Sequence, residues 1–204
     1  MARPREFDKE KALDAAMSAF WTCGYDATSM ADLMEAMDLR KGSIYKAFAD
    51  KHDLFMQALT RYLDGMYDTM RQGFESAESP VEGLRVWLSY VSQICQGEDI
   101  HRGCLALNAA VELGPHDEAV AGLLKRHFAR VSRLLTQIIE RGQQADEFRR
   151  DLPAPQLTKA LSIFAAGMLT TSEVLGDEID PEEMSAFALN MLVSESPLAS
   201  TGVN

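Results

Sequence analysis

Residues 39–51, LRKGSIYKAFADK, set Arg40, Lys41, Lys46 and Lys51 against Asp50 alone, a local charge of +3. Gly42, Ser43 and Tyr45 are interleaved with these cations. Cations and hydroxyls at this spacing bind phosphate oxygens, and an Arg or Lys paired with guanine O6 and N7 contributes about 1–3 kcal/mol of base discrimination. A glycine in the first turn lets a nucleic-acid backbone approach closely, and a helix N-terminus favours a phosphate. The chemistry is recognition of duplex DNA by Arg40, Lys41, Gly42, Ser43, Tyr45 and Lys46 rather than bond making. Arg3 and Arg5 add charge to an N-terminal arm.

Other reactive groups are scattered. Cys104, in RGCLALN at the start of a short helix, stands where a thiol could be reactive. His101, Cys104, Glu112 and His116 invite a metal reading, because His at i and Cys at i+3 can share a helix face, yet a structural zinc site usually asks for four well-spaced ligands, often in CxxC pairs, and none are present. Catalysis through Cys104 with His101 or His127 as base would need an orienting third group and would leave the basic helix unused. The expectation is therefore no enzyme, no cofactor and no metal.

Two short helices must position the basic residues. In the first, Met30, Leu33, Met34 and Met37 form an apolar stripe, and Ser29 with Asp32 fits a capping box. Asp38 tolerates the left-handed conformation of a tight turn. A second helix, about 41–48, is anchored by Ile44 and Phe48. Helix, tight turn and basic second helix within residues 28–48 make a helix-turn-helix, whose second helix enters the major groove. The alternative, a hairpin whose charges are only solvated, leaves the agreement of period, turn and charge without a reason.

The rest of the chain has the same helical period. A first helix, about 8–23, carries Leu13, Ala16, Met17 and Phe20 on one face and stops at Gly24. Beyond residue 50, helices are expected near 51–74, 80–96, 102–113, 117–144, 155–175 and 181–194, broken at Pro80, Gly114-Pro115 and Pro153-Ala-Pro155. Pro181 suits a first turn capped by Asp180. The fold class is all-α with about nine helices. Its expected division is a DNA-binding domain at 1–50, an effector-binding and dimerisation domain at 51–196, and a disordered tail at 197–204.

The 204 residues carry 20 Lys+Arg against 31 Asp+Glu, a net charge of −11, and beyond residue 54 there are 12 basic and 21 acidic residues. An anion-binding surface is therefore local and N-terminal, since phosphate affinity comes from Lys and Arg. The most apolar stretch, 160–175, is interrupted by Ser162, Thr170, Thr171, Ser172 and Glu173 and falls short of a membrane span, and no apolar secretion signal is visible near the start. A cytoplasmic protein with reduced thiols at Cys23, Cys95 and Cys104 is expected. Helical bundles hold ligands between facing side chains. Met66, Tyr67, Met70, Trp87, Tyr90, Val91, Ile94, Cys104, Asn108, Phe128, Phe164 and Met168 are spaced to point inward, suggesting an apolar or aromatic effector.

The run Gly24-Tyr25-Asp26-Ala27-Thr28-Ser29, then Ala31-Asp32-Leu33, Lys41-Gly42-Ser43-Ile44-Tyr45, Phe48 and residues 51–54 closely resembles the N-terminal region of TetR/AcrR transcriptional regulators. The resemblance implies three DNA-binding helices, a variable helical domain for a small effector, and a homodimer built by the last two long helices. It assigns Thr28, Lys41, Ser43, Tyr45 and Lys51 to DNA contacts. This chain has Asp38 where the family usually has glycine, and Ala47 where a polar ring often precedes the Phe48 position, which shifts weight to Lys46. A dimer also follows from twofold reading of half-sites about one DNA turn apart. Leu157, Leu161, Phe164, Ala165, Met168, Phe187, Met191 and Leu192 are candidates for its interface. The segment 102–120 resembles a common C-terminal type in which some members sense electrophiles or oxidants through a cysteine, the alternative function for Cys104.

Overall fold

The computed structural model describes residues 7–96 and 102–193. Among the described residues the regular structure is nine α-helices and one short 3-10 turn, with a single isolated antiparallel bridge between Phe148 and Val193. The helices are α1 (Lys9–Cys23), α2 (Met30–Ala36), α3 (Lys41–Ala47), α4 (Lys51–Ser76), α5 (Pro80–Ile94), α6 (Leu105–Glu112), α7 (Glu118–Gln144), α8 (Ala154–Leu175) and α9 (Pro181–Asn190). None of them is long and apolar enough to cross a membrane. The expected tail at 197–204 lies outside the described residues.

Local chemistry explains most helix ends. Asp8 accepts the backbone N–H groups of Glu10 and Lys11, and Gly24 closes α1 at φ +80° while donating its N–H to Phe20. Ser29 and Asp32 form the expected capping box, and Asp38 takes the turn between α2 and α3 at φ +48°. Asp180 caps α9, with Pro181 in its first turn. Two ends differ from the sequence expectation by three residues or more. α6 begins at Leu105 rather than near 102 because Gly103 has φ +54° and the Arg102 and Gly103 carbonyls both accept the Trp21 indole N–H, at 2.9 and 3.1 Å. α9 stops at Asn190 rather than 194 because the Arg149 N–H takes the Leu192 carbonyl at 2.8 Å, and Val193 bridges Phe148.

The chain forms two compact units, Met1–Tyr67 with His101–His127, and Asp68–Ile100 with Phe128–Asn204. These packing units do not follow the division drawn at residue 50. The first half of α4 sends Leu54, Phe55, Ala58, Leu59 and Leu63 into the interior of the first unit, alongside Leu13, Ala16 and Phe20 of α1, Leu33 of α2 and Ile44 of α3, all nearly inaccessible. Phe55 meets Phe20 edge-on at 5.1 Å and Tyr25 at 4.9 Å between ring centroids. In the second unit α5 packs on α8 and α9. Its main core joins Leu84 and Leu88 of α5, Leu135, Ile138 and Ile139 of α7, Leu157 and Leu161 of α8, and Leu189 of α9 around Phe148. A smaller cluster gathers Val91, Cys95, Ala165 and Met168, with Trp87, Phe164 and Met184 against it.

Candidate nucleic-acid interface

α3 is short, and burial of one side fixes its orientation. Ile44 is 1% exposed and Phe48 2%, so the helix is nailed to the first unit along that edge. The opposite edge presents Arg40, Lys41, Gly42, Tyr45 and Lys46 to solvent, while Ser43 is half-buried. Arg40 is the N-cap residue but makes no side-chain cap bond, leaving its guanidinium to reach outward. The Lys41 ammonium lies 5.8 Å from the Tyr45 ring centroid, a cation–π arrangement that keeps both on one surface. Among the described residues, nothing beyond its chain neighbours and the helix's own backbone lies within 4 Å of a Cβ built at Gly42. The molecule's own packing therefore does not require a glycine there, whereas close approach of a partner backbone would.

Two residues assigned to DNA have other engagements. Thr28 is 1% exposed, and its hydroxyl donates to the Gly24 carbonyl at 2.6 Å, so it holds the α1–α2 turn from inside. Lys51 places its Nζ 4.3 Å from the Tyr25 ring centroid and 3.5 Å from the Asp26 carbonyl, against that same turn. Tyr25 itself stacks on Phe20, and burial, together with Asp50, Asp117, Asp26 and Glu112 nearby, pushes its phenol pKa up. On the capping box, the Ser29 hydroxyl and backbone N–H hold the Asp32 carboxyl below the usual carboxylate range.

A set of long-range contacts braces this region and was not legible in the sequence. Glu112, weighed there only as a metal ligand, accepts the backbone N–H groups of Tyr25 at 2.9 Å and Asp26 at 2.8 Å. Asp117 caps α7 through Ala119 and Val120 and meets His52 Nε2 at 2.6 Å. The Val120 N–H first, and then His52, holds the Asp117 carboxyl below its ordinary pKa. Arg102 donates to the Ser18 hydroxyl and lies over the Trp21 ring. Arg61 of α4 grips both Glu10 and Asp14 of α1. Apart from the Asp117 cap of α7, no local periodicity or motif announces these pairs.

The expected effector-lining residues are divided. Met66, Tyr67, Cys104 and Asn108 belong to the first unit, and Met70, Trp87, Tyr90, Ile94, Phe128, Phe164 and Met168 to the second. Trp87, Phe164 and Met168 do come together in the smaller cluster of the second unit, and Met70 sits in its main core. Tyr90 and Asn108 do not point inward as their spacing implied. Tyr90 is 42% exposed, and Asn108 is exposed with its amide donating to the Arg102 carbonyl at 2.8 Å. Phe128 is 40% exposed. Of the dimer candidates, Leu157, Leu161, Ala165, Met168 and Leu192 are buried within their own unit, and Phe164 packs beside them. Phe187 stands exposed on α9 and Met191 just past its end, with Ile163 and Val174, which the sequence reading did not include, exposed on α8.

Among the cysteines, Cys23 is exposed and Cys95 and Cys104 are buried. Burial pushes the Cys95 thiol pKa up. Cys104 is the N-cap residue of α6, and the Tyr62 hydroxyl donates to its Sγ at 3.6 Å. Of the residues weighed for metal, His101 lies outside the described residues and the Glu112 carboxylate is committed to backbone N–H groups.

Residues 12–58 match the family model for bacterial regulatory proteins, tetR family, and residues 80–187 match that for the tetracyclin repressor-like C-terminal domain. The HTH-type transcriptional repressor ComR of Escherichia coli (strain K12) is 32% identical over 167 residues, covering 81% of this chain and 80% of that protein. The structure of a cysteine mutant of the TetR family transcriptional regulator CifR, complexed with 26-bp double-strand operator DNA, aligns at TM-score 0.75 and 31% identity, covering 94% of this chain and 100% of that one. The reduced form of E. coli NemR shares the fold, at TM-score 0.82 and 17% identity over 92% of this chain and 98% of that one. A capped helix-turn-helix with an outward basic edge, joined to helices that match the family's C-terminal domain, places this chain in the TetR family of transcriptional regulators.

Proposed function

We propose that the protein is a homodimeric repressor that binds a palindromic operator in the cytoplasm and is released by a small apolar or aromatic effector. The observation that carries this reading is the outward edge of α3, where Arg40, Lys41, Tyr45 and Lys46 stand exposed around an unobstructed Gly42. Arg40 and Lys46 read base edges, and Lys41, Ser43 and Tyr45 hold phosphates. Lys51 supports the α1–α2 turn and adds positive potential. Functionally the chain divides into a reading domain at 1–50 and an effector and dimerisation domain at 51–196.

A second copy is recruited through Phe187 of α9 and Met191 just past it, with Ile163 and Val174 of α8. These exposed apolar side chains all belong to one compact unit and are costly to leave in water. An apolar or aromatic effector suits the cluster of Trp87, Phe164 and Met168, since Met adapts to varied shapes. Release is a population shift: the effector favours a spacing of the two recognition helices unsuited to the operator, and DNA weakens effector binding by the same factor.

The test is selection from random duplex DNA with wild type, followed by footprinting with the Arg40→Ala, Lys46→Ala double variant. A palindromic footprint lost in the double variant supports the reading. Equal, diffuse binding by both proteins refutes the assignment of α3.

A second reading, a thiol sensor acting through Cys104, draws on one observation, the Tyr62 hydroxyl aimed at Sγ in the N-cap position of α6. Cys104→Ser separates the two. Loss of release by oxidants with operator binding retained supports the sensor, and normal release makes Cys104 a packing residue.

A further inference from the structure

The turn from α1 into α2 is wrapped around one side chain that comes from far along the chain. Glu112, the last residue of α6, presents Oε2 to the Tyr25 N–H at 2.9 Å and Oε1 to the Asp26 N–H at 2.8 Å. A Cβ built at Gly24 would lie 3.2 Å from both carboxylate oxygens, so the backbone closes on the carboxylate at three consecutive residues. Successive N–H groups turned to one side form an anion cradle, and here the protein fills it with its own carboxylate. The neighbouring groups are fixed locally: the Gly24 carbonyl by Thr28, the Gly24 N–H by Phe20, and the Ser29 N–H by Asp32. The Tyr25 and Asp26 N–H groups draw their restraint from Glu112. On the carbonyl side of the same turn Lys51 leans on the Tyr25 ring and the Asp26 carbonyl, so a carboxylate and an ammonium grip it together.

From this geometry we infer that Glu112 is a positioning residue for operator binding, which rests on the operator-binding reading above. It touches no DNA. By holding Tyr25 and Asp26 it fixes the direction in which the chain runs to Ser29, the cap of α2, and the place where Lys51 stands. Loss of either N–H bond lets the turn sample other conformations, and apparent operator affinity falls with the fraction that remains competent. Gln in place of Glu accepts one of the two N–H groups and turns its own NH2 against the other.

The test uses the full-length protein and the duplex enriched by selection with wild type. Glu112→Gln is expected to weaken operator binding by about 5-fold or more, the lower end of usual coupling between sites. Random duplex should lose much less affinity, and the dependence on salt should be unchanged because no phosphate contact is removed. The Tyr25 and Asp26 amide resonances should move together. Operator affinity equal to wild type overturns the inference, and so does an equal loss on operator and random duplex, which a merely structural role would give. If Glu112→Gln does not fold, Glu112→Asp keeps the charge on a shorter arm, and amide shifts in that variant without loss of operator preference overturn it as well. Failure of the operator-binding reading looks different: wild type then enriches no sequence at all.

Discussion

Replacing Gly42 by Ala should move stability and DNA affinity in opposite directions. Gly42 lies in the first turn of α3, is not among the positive-φ residues, and among the described residues outside its own helix has nothing within 4 Å of a built Cβ. Ala therefore meets no obstacle among them, and the variant gains about 0.5–1 kcal/mol because the unfolded chain loses freedom that glycine had. For a chain of 204 residues, 1 kcal/mol moves the midpoint by about 2–4 °C, so the expected rise is about 1–4 °C in thermal unfolding followed by circular dichroism. On DNA the same methyl group occupies the space a phosphate backbone needs between the Lys41 and Tyr45 side chains. Operator affinity by fluorescence anisotropy should fall about tenfold or more, equivalent to about 1.4 kcal/mol. A variant that is more stable and binds as wild type would refute the orientation of α3. A variant that is less stable would refute the claim that the site is open.

Lys41→Ala should flatten the salt dependence of operator binding: each lost phosphate contact changes the log–log slope by about 0.9, so two copies in a dimer change it by about 1.8. An unchanged slope with relaxed sequence preference would place Lys41 on a base instead. Gly142→Ala should destabilise, because a Cβ there overlaps the ring of Phe148, which is fully buried. The overpacking cost of about 1–3 kcal/mol exceeds the helix-propensity gain of about 1 kcal/mol, and an increased denaturation midpoint would contradict this. Asp117 has a folded-state pKa below its unfolded value, so its contribution is present above about pH 4 and is lost as pH falls through the folded pKa. Asp117→Asn should accordingly be less stable than wild type at pH 7 and match it in acid, and a stability difference independent of pH would sink the linkage.

What the sequence determined by itself was local. The Ser29 and Asp32 capping box, the Asp38 turn, the Asp180 and Pro181 start of α9 and the buried edge of α3 all appear where residue type and helical period put them. Each depends on partners no more than four residues away, so a short window holds the whole physics. The basic edge of α3 was legible for the same reason, since Ile44 and Phe48 mark the buried side and leave the charges opposite.

Tertiary structure decided the rest. α8 is apolar on much of its circumference, and period alone could not say that Leu157, Leu161 and Met168 turn inward while Ile163 and Val174 face solvent, because that depends on where α5 and α9 lie. Thr28 looked like a polar residue at a helix start; its bond to the Gly24 carbonyl is local, but its burial to 1% exposure is set by the surrounding packing. The grip of Glu112 on Tyr25 and Asp26 spans more than eighty residues. Such a contact depends on two distant segments arriving together, and the free energy that brings them there is the burial of the surrounding core, which no window of sequence contains.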